Sequence, residues 1–382
     1  MLSCGEASGD LYAGALATEL LRRAPDTQIF GFGGPRLRSA GAELVGNFTD
    51  FSVTGLIEAL RVVPRSFGML RQLVAIARER RPDVFVPIDF PDFNFRLIAG
   101  IRRLGIPVVY YVSPQLWAWR PGRMKTMQSS VDRVLVLFPF EERIYQDAGV
   151  DVRFVGHPLV DMAKATEARA PFLASCGLAP DAPTVALLPG SRRNEVAHTV
   201  PTFLAAMAQI RAQIADVQFV VACAPTIDDG QFAALTTDAR VRLIRDRADD
   251  VIASADVAIT ASGTATVQCA LHERPMVVVY RLSPLTYRLG KPFVSVNMYA
   301  MPNLVAGARI VPELIQDDFT PARVSAEVVT LLTDRGRHAR MVEDLRRVKA
   351  LLGAPGASGR AADAILDLVS ASARRAPGAM SA

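Results

Sequence analysis

The chain is poor in the residues that build metal centres and cross-links. Among its 382 residues are four cysteines (Cys4, Cys176, Cys223, Cys269) and four histidines (His157, His198, His272, His338). They are scattered, with no CxxC pair and no nearby His/Cys partner. Such spacing argues against a zinc site or a disulfide framework, and reduced thiols in a cytosolic protein are the simplest expectation. No metal and no cofactor is expected. No apolar run approaches the roughly 20 residues that a membrane-spanning helix requires, and no signal peptide is expected. There is no GxGxxG fingerprint and no GKS or GKT after a glycine-rich turn, so neither a dinucleotide site nor a Walker loop is predicted. No basic stretch is interleaved with aromatics, which speaks against nucleic acid as a partner.

What is present is apolar and regularly punctuated. Half of the residues are hydrophobic and 21% are charged, enough for sizeable cores and against disorder. The length suits two α/β domains better than one. A formal charge of +5 suits an anionic partner but equally describes a routine surface.

Short β-branched runs recur at Val84–Ile88, Val108–Val112, Val131–Leu137, Val185–Leu188, Val217–Val221, Val257–Thr260 and Met276–Tyr280. Helical stretches such as Leu11–Arg23, Glu195–Ile214 and Ala265–His272 lie between them. Strands alternating with helices predict parallel sheets with crossover helices. The first strand reads as short, so the chain is expected to start late. Lys164–Pro171 and the prolines of Ala179–Pro183 read as a linker. The expected organisation is therefore a Rossmann-like domain over 1–160, a second over 161–335, and C-terminal helices over 336–382 that pack back on the first domain. Ala371–Ala382 reads as a frayed end.

Six motifs follow predicted strands. Gly5-Glu6-Ala7-Ser8-Gly9-Asp10 permits close backbone approach of a ligand, or is a tight turn with Asp10 as a helix cap. Asp89 leaves the strand Val84–Ile88 at its carboxyl end, where it can take the proton of an attacking hydroxyl; Asp92, beside Pro91, fits a helix cap. Both tryptophans lie in Tyr111–Arg120, and with Ser113, Gln115 and Arg120 the indoles of Trp117 and Trp119 form either a sugar-binding edge or a packed aromatic cluster. Gly190, Ser191 and Arg192 open the second domain; the arginine can pair with phosphate or be solvated at a Pro-Gly turn. The small-residue turn Ser262, Gly263, Thr264, Ala265, Thr266 makes an anion site at a helix start, or an ordinary cap. Arg281 and Asn303 are undecided between ligand contact and turn chemistry.

Val53–Arg81 carries apolar residues at spacings of three and four with six arginines among them. Pro64 is expected to split it into two helices. It reads either as core-facing or as a basic amphipathic contact for an anionic membrane, led by Phe67, Met69 and Leu70.

GEASGD (5–10), GGPRL (33–37), TGLIEAL (54–60), IDFPDFN (88–94), YVSPQLWAWR (111–120), FPFE (138–141), VGHPL (155–159), LLPGSR (187–192), SGTATVQ (262–268) and MPNLVAG (301–307) together resemble the lipid A disaccharide synthase family. The resemblance runs from the first residues to about Gln316. It implies an α/β fold of GT-B type, two Rossmann-like doubly wound domains facing a central cleft. It implies an inverting transferase that moves 2,3-diacylglucosamine from UDP-2,3-diacylglucosamine onto 2,3-diacylglucosamine 1-phosphate (lipid X), forming a β-1,6 linkage and UDP at the cytoplasmic face of the inner membrane. Asp89 matches the family's essential acid, with Glu6, Ser8, Asp10, Asp92, Asn94, Ser113, Gln115, Trp117 and Arg120 expected around the acceptor. Gly190, Ser191, Arg192, Ser262–Thr266, Gln268, Arg281 and Asn303 fall at the expected donor site. Gln268 departs from the family's usual Glu, which should alter donor binding without abolishing it; the short start is a second departure. A homodimer is left open. The rival readings are another UDP-N-acetylglucosamine enzyme of this fold, a 2-epimerase or the peptidoglycan transferase, and a non-catalytic nucleotide-sugar-binding protein at a membrane surface.

Overall fold

The structure, a computed structural model, describes residues 1–51, 56–116, 121–225, 227–281 and 297–375. The chain divides into two compact units, Met1–Pro158 together with the chain from Leu352 onward, and Leu159–Leu351.

The first unit is built on a parallel sheet of β1 (Leu2–Cys4), β2 (Phe30–Gly33), β3 (Glu43–Asn47), β4 (Val86–Ile88), β5 (Val109–Tyr111), β6 (Arg133–Val136) and β7 (Val152–Phe154), in the order β3-β2-β1-β4-β5-β6-β7. The second has β8 (Thr184–Leu188), β9 (Gln218–Cys223), β10 (Val241–Arg245), β11 (Val257–Ala261), β12 (Met276–Tyr280) and β13 (Glu313–Ile315), also parallel, in the order β10-β9-β8-β11-β12-β13. Both sheets reverse their winding direction once, between β1 and β4 and between β8 and β11. Such a reversal parts the loops at the carboxyl ends of the two strands and leaves a crevice there. The inner strands are buried along their whole length, as in β8 and β11, because helices cover both faces.

The seven runs read from sequence all coincide with strands. β2, β3, β7, β10 and β13 carry weaker signals. β2 is Phe-Gly-Phe-Gly. β3 and β13 are largely half-buried, and β10 contains two arginines within Val241–Arg245. The β-branched, fully apolar signature needs burial on both faces, which the edge strands β3, β7, β10 and β13 lack; β2 is an inner, buried strand whose two glycines dilute the signal.

Leu56–Arg80 is one helix with Pro64 inside it, not two. A proline deletes one backbone hydrogen bond; Leu70, Leu73 and Ala77, all buried in the first unit's core, anchor the helix beyond it. The segment 336–382 does not act as one block. Arg335–Leu351 belongs to the second unit, where Lys349 pairs with Glu273 at 3.0 Å and the Met276 amide meets Met341 Sδ at 3.4 Å. Ala357–Arg375 belongs to the first unit. There Arg360 Nε donates to Val155 O at 2.8 Å, Arg133 to Ala364 O at 2.9 Å, and Arg153 pairs with Asp367 at 3.1 Å.

Candidate functional site

At the first winding reversal, β4 ends at Ile88 and the chain turns abruptly. Asp89 and Phe90 are both left-handed, with φ of 47° and 50°, and Val112 beyond the neighbouring β5 has φ 56°. Each non-glycine residue in this region costs about 1–3 kcal/mol and persists only where its surroundings enforce it. The enforcement is visible. Asn94, fully buried, donates from Nδ2 to Asp89 O at 2.7 Å, and the Tyr110 hydroxyl donates to the same carbonyl at 2.9 Å. Asn94 is itself fixed by Ser3, whose Oγ donates to Asn94 Oδ1 at 2.7 Å. Burial first, then the Asp89 carboxylate, hold the Tyr110 phenol well above its usual pKa, so it remains a donor. Gly5, in the turn after β1, is required by the same arrangement: a Cβ there would lie 2.2 Å from the Phe90 ring. The outcome is a half-buried carboxylate on a fixed backbone at the carboxyl end of a central strand.

Several residues expected around an acceptor are braces for this turn or its neighbours. Asp10 is 2% exposed. Its Oδ1 accepts from Gly34 N at 2.8 Å and Leu37 N at 3.1 Å, and its Oδ2 from Arg36 N at 2.8 Å. It therefore caps the helix Pro35–Ser39, and its expected place at the acceptor is corrected. Asn94 is corrected to the clamp just described. Ser113 is buried in a hydroxyl pair with Tyr145, which burial keeps protonated; it supports the Pro114 turn rather than an open site. Asp92 sits in the first turn of Pro91–Arg102, exposed, and pairs with Arg123. Glu6 and Ser8 lie half-buried at the start of Ala7–Arg23, and Gln115 is exposed. Trp117 and Arg120 lie outside the described residues.

At the second reversal, β8 runs into Gly190, whose φ of +123° excludes other residues. The turn folds onto Glu195: Ser191 N donates to Glu195 Oε2 at 3.1 Å, and Arg192 Nη1 to Oε1 at 3.2 Å. Arg192 keeps 58% of its side chain exposed, so a surface pair of this kind is weak and exchangeable. β11 runs into Gly263 (φ +139°), exposed and with nothing within 4 Å of the position a Cβ would take. Helix Thr264–Leu271 begins here; the Thr266 amide donates to Gly263 O at 3.0 Å, and the amides of Thr264 and Ala265 before it are of the kind a helix leaves without an intrahelical acceptor. Thr266 is fully buried and spends its hydroxyl on Gly263 O at 2.7 Å. Ser262 Oγ donates to Tyr299 O at 3.0 Å. The backbone of the turn, more than its hydroxyls, is what an anion can reach.

Two residues expected at the donor site are engaged within the fold. Asn303 is fully buried. Its Nδ2 donates to Val311 O at 3.0 Å and Glu313 Oε1 at 2.8 Å, and its Oδ1 accepts from Ile310 N and Val311 N at 2.8 and 2.9 Å. Its hydrogen-bonding capacity is used in holding the loop between helix Met301–Ala306 and β13. Arg281 lies over the Phe319 ring at 4.7 Å, donates to the carbonyl of Phe319, and reaches Thr202 Oγ1 at 3.2 Å. Residues that sequence reasoning passed over include Tyr110, Glu313, which accepts from Tyr299 N and Ala300 N at 3.0 and 2.8 Å, and Asp249, which receives Gln268 and His272. No motif marks them, because their partners are distant in sequence.

Of the residues expected at a membrane, Phe67 is 46% exposed with the Arg96 guanidinium 5.4 Å from its ring centre. Met69 is half-buried against the core and Leu70 is part of it. Leu70 is therefore corrected to a core residue. No described helix is long and apolar enough to cross a membrane.

A family model described as lipid-A-disaccharide synthetase matches residues 1–362. A lipid-A-disaccharide synthase of Anaeromyxobacter dehalogenans (strain 2CP-1 / ATCC BAA-258) is 45% identical over 372 residues, 97% of each chain. One of Myxococcus xanthus (strain DK1622) is 41% identical over 371 residues, again 97% of each. Among solved structures, UDP-GlcNAc 2-epimerase from Neisseria meningitidis bound to UDP-GlcNAc superposes with a TM-score of 0.69 at 10% identity, covering 96% of this chain and 99% of that one. The glycotransferase of kitacinnamycin gives 0.63 at 21% identity, covering 96% and 98%. At these identities the likeness speaks for the fold, which is of GT-B type. Matched along nearly its whole length by both family model and relatives, the chain belongs to the lipid-A-disaccharide synthase family.

Proposed function

We propose that this chain is an inverting glycosyltransferase that moves the diacylglucosaminyl group of UDP-2,3-diacylglucosamine onto the 6-hydroxyl of 2,3-diacylglucosamine 1-phosphate. In this reading UDP-sugar binds the second unit, its diphosphate at the amides of Gly263–Ala265. The helix start and Arg192 stabilise the negative charge that grows on UDP as the anomeric C–O bond breaks. Asp89 accepts the proton of the acceptor hydroxyl as its oxygen forms the new bond from the opposite face of the sugar. The substrates are lipid-linked sugars. A peripheral position on the cytoplasmic face of the inner membrane completes the reading, with Phe67 and the arginines around it as the contact.

The observation that carries the proposal is the Asp89 turn. A carboxylate at the mouth of a winding reversal is held in a strained backbone conformation by two buried donors, Asn94 and Tyr110. Strain of this kind clusters at functional sites, and here it coincides with a carboxylate at the crevice. Mass spectrometry of products from the purified protein, supplied with both acylated substrates, is the test. The expected products are the tetra-acylated disaccharide 1-phosphate and an equal amount of UDP. Release of UDP with no disaccharide, or an epimerised sugar with no UDP, rejects the proposal.

A further inference from the structure

Gln268 lies four residues after Thr264 in helix Thr264–Leu271, hence on the same face and about 6 Å farther along the axis. In the donor-site reading above, the ribose that carries the phosphates at the helix start is the group this residue meets. Across from it stands Asp249, in the first turn of Ala248–Ser254 after β10. Gln268 Nε2 lies 3.2 Å from Asp249 Oδ1 and 3.3 Å from Oδ2, and His272 Nε2 lies 2.9 Å from Oδ1. The carboxylate and the imidazole are only partly exposed, Asp249 at 23% and His272 at 12%.

Hydrogen-bond chemistry fixes the direction of this array. An ionised carboxylate only accepts, so the Gln268 amide must turn its NH2 toward Asp249. Its Oε1 then points the other way. The same rule places a proton on His272 Nε2, and that bond holds Asp249 in place. A glutamine at a sugar hydroxyl otherwise has two nearly equivalent orientations, one presenting a donor and the other an acceptor. Here one is selected.

We propose that Asp249, held by His272, is a positioning residue that makes Gln268 present its carbonyl oxygen as an acceptor to a ribose hydroxyl of the bound uridine nucleotide. The proposal rests on the donor-site reading above. It explains how an amide can stand in for a carboxylate at position 268: a pinned amide offers its ligand the same acceptor.

The test is a comparison of affinities for UDP, 2′-deoxy-UDP and 3′-deoxy-UDP by calorimetry on the full chain. Wild type is expected to prefer UDP over at least one deoxy form by about five- to tenfold, the size of one neutral hydrogen bond. Asp249→Asn lets the amide flip, and the preference should fall to within about twofold. In turnover assays the loss in KM for the donor should exceed any loss in kcat. The double variant Asp249→Asn, Gln268→Glu should recover the preference, because a carboxylate needs no orienting and the amide introduced opposite it can donate to it. His272→Ala, which leaves Asp249 and Gln268 intact, should give a partial fall. An Asp249→Asn protein with the wild-type preference, or a double variant that fails to recover it, overturns the proposal. If Gln268→Ala removes the preference while Asp249→Asn keeps it, the ribose contact stands and only the positioning role falls. A wild-type protein that does not bind UDP at all ends the donor reading itself.

Discussion

Replacing Asn94 with alanine separates the carboxylate from the clamp that aims it. Asn94 is fully buried and makes three hydrogen bonds. It accepts from Ser3 Oγ at 2.7 Å and donates to Asp89 O at 2.7 Å and Ser3 O at 3.3 Å. At about 1 kcal/mol each, their loss should lower the unfolding free energy by about 3 kcal/mol. The effect on turnover has a different origin. Asp89 and Phe90 are held left-handed at a cost of about 1–3 kcal/mol each, and removing the shorter of the two clamping bonds lets that strain relax. A displacement of about 1 Å at a reacting group costs on the order of 100-fold in rate. Asn94→Ala should therefore lower kcat about 100-fold with UDP affinity unchanged, since the proposed nucleotide site lies in the second unit. Chemical denaturation gives the first quantity, UDP release the second, and calorimetry the third. A variant destabilised by the expected amount but turning over within twofold of wild type would show that the pose of Asp89 is immaterial.

Asn303→Ala should cost about 3–4 kcal/mol of stability, from four buried hydrogen bonds, yet leave UDP affinity within about threefold when measured well below the melting temperature; a selective loss of UDP binding would return Asn303 to the donor site. Phe67→Ser should reduce sedimentation with anionic vesicles at little cost in Tm, whereas Leu70→Ser, in the core, should lose about 3 kcal/mol or more; vesicle binding that is insensitive to Phe67 removes it from the contact. Burial between Tyr12 and Phe138 pushes the His157 pKa down to about 3 from the usual 6.5. The folded state thus keeps His157 neutral while the unfolded chain protonates. Its contribution is complete above pH 6.5 and is lost as pH falls toward 3, by about 1.4 kcal/mol per pH unit and about 2 kcal/mol at pH 5. His157→Leu should flatten that part of the stability profile, and an unchanged slope between pH 6.5 and 5 would refute the assignment.

The strands that face apolar layers on both sides announce themselves in sequence, and with them the positions of Asp89, Gly190 and Gly263 at their carboxyl ends. Those three follow from chain order alone, because a residue just beyond a buried parallel strand has one place to be. Side-chain direction is another matter. Asp10, Asn94, Ser113, Arg281 and Asn303 sit in the same motifs as the candidate ligands, and as polar residues beyond predicted strands or in turns they look alike. What separates them is burial, and the partners that satisfy them come from Gly34, Ser3, Tyr145, Phe319 and Val311. A buried polar residue takes hydrogen-bond partners within the fold, and here those partners hold the loops. The Leu56–Arg80 helix teaches the complementary lesson: a proline breaks a helix only when packing beyond it does not compensate.

The central claim is that Asp89 takes the acceptor's proton while the nucleotide is held by the second unit. Asp89→Asn tests it most directly, by single-turnover formation of disaccharide alongside calorimetric UDP binding. The account predicts turnover reduced at least about 1,000-fold, in keeping with loss of a general base, with UDP affinity within about twofold of wild type. Disaccharide formed at the wild-type rate by the asparagine variant would contradict it.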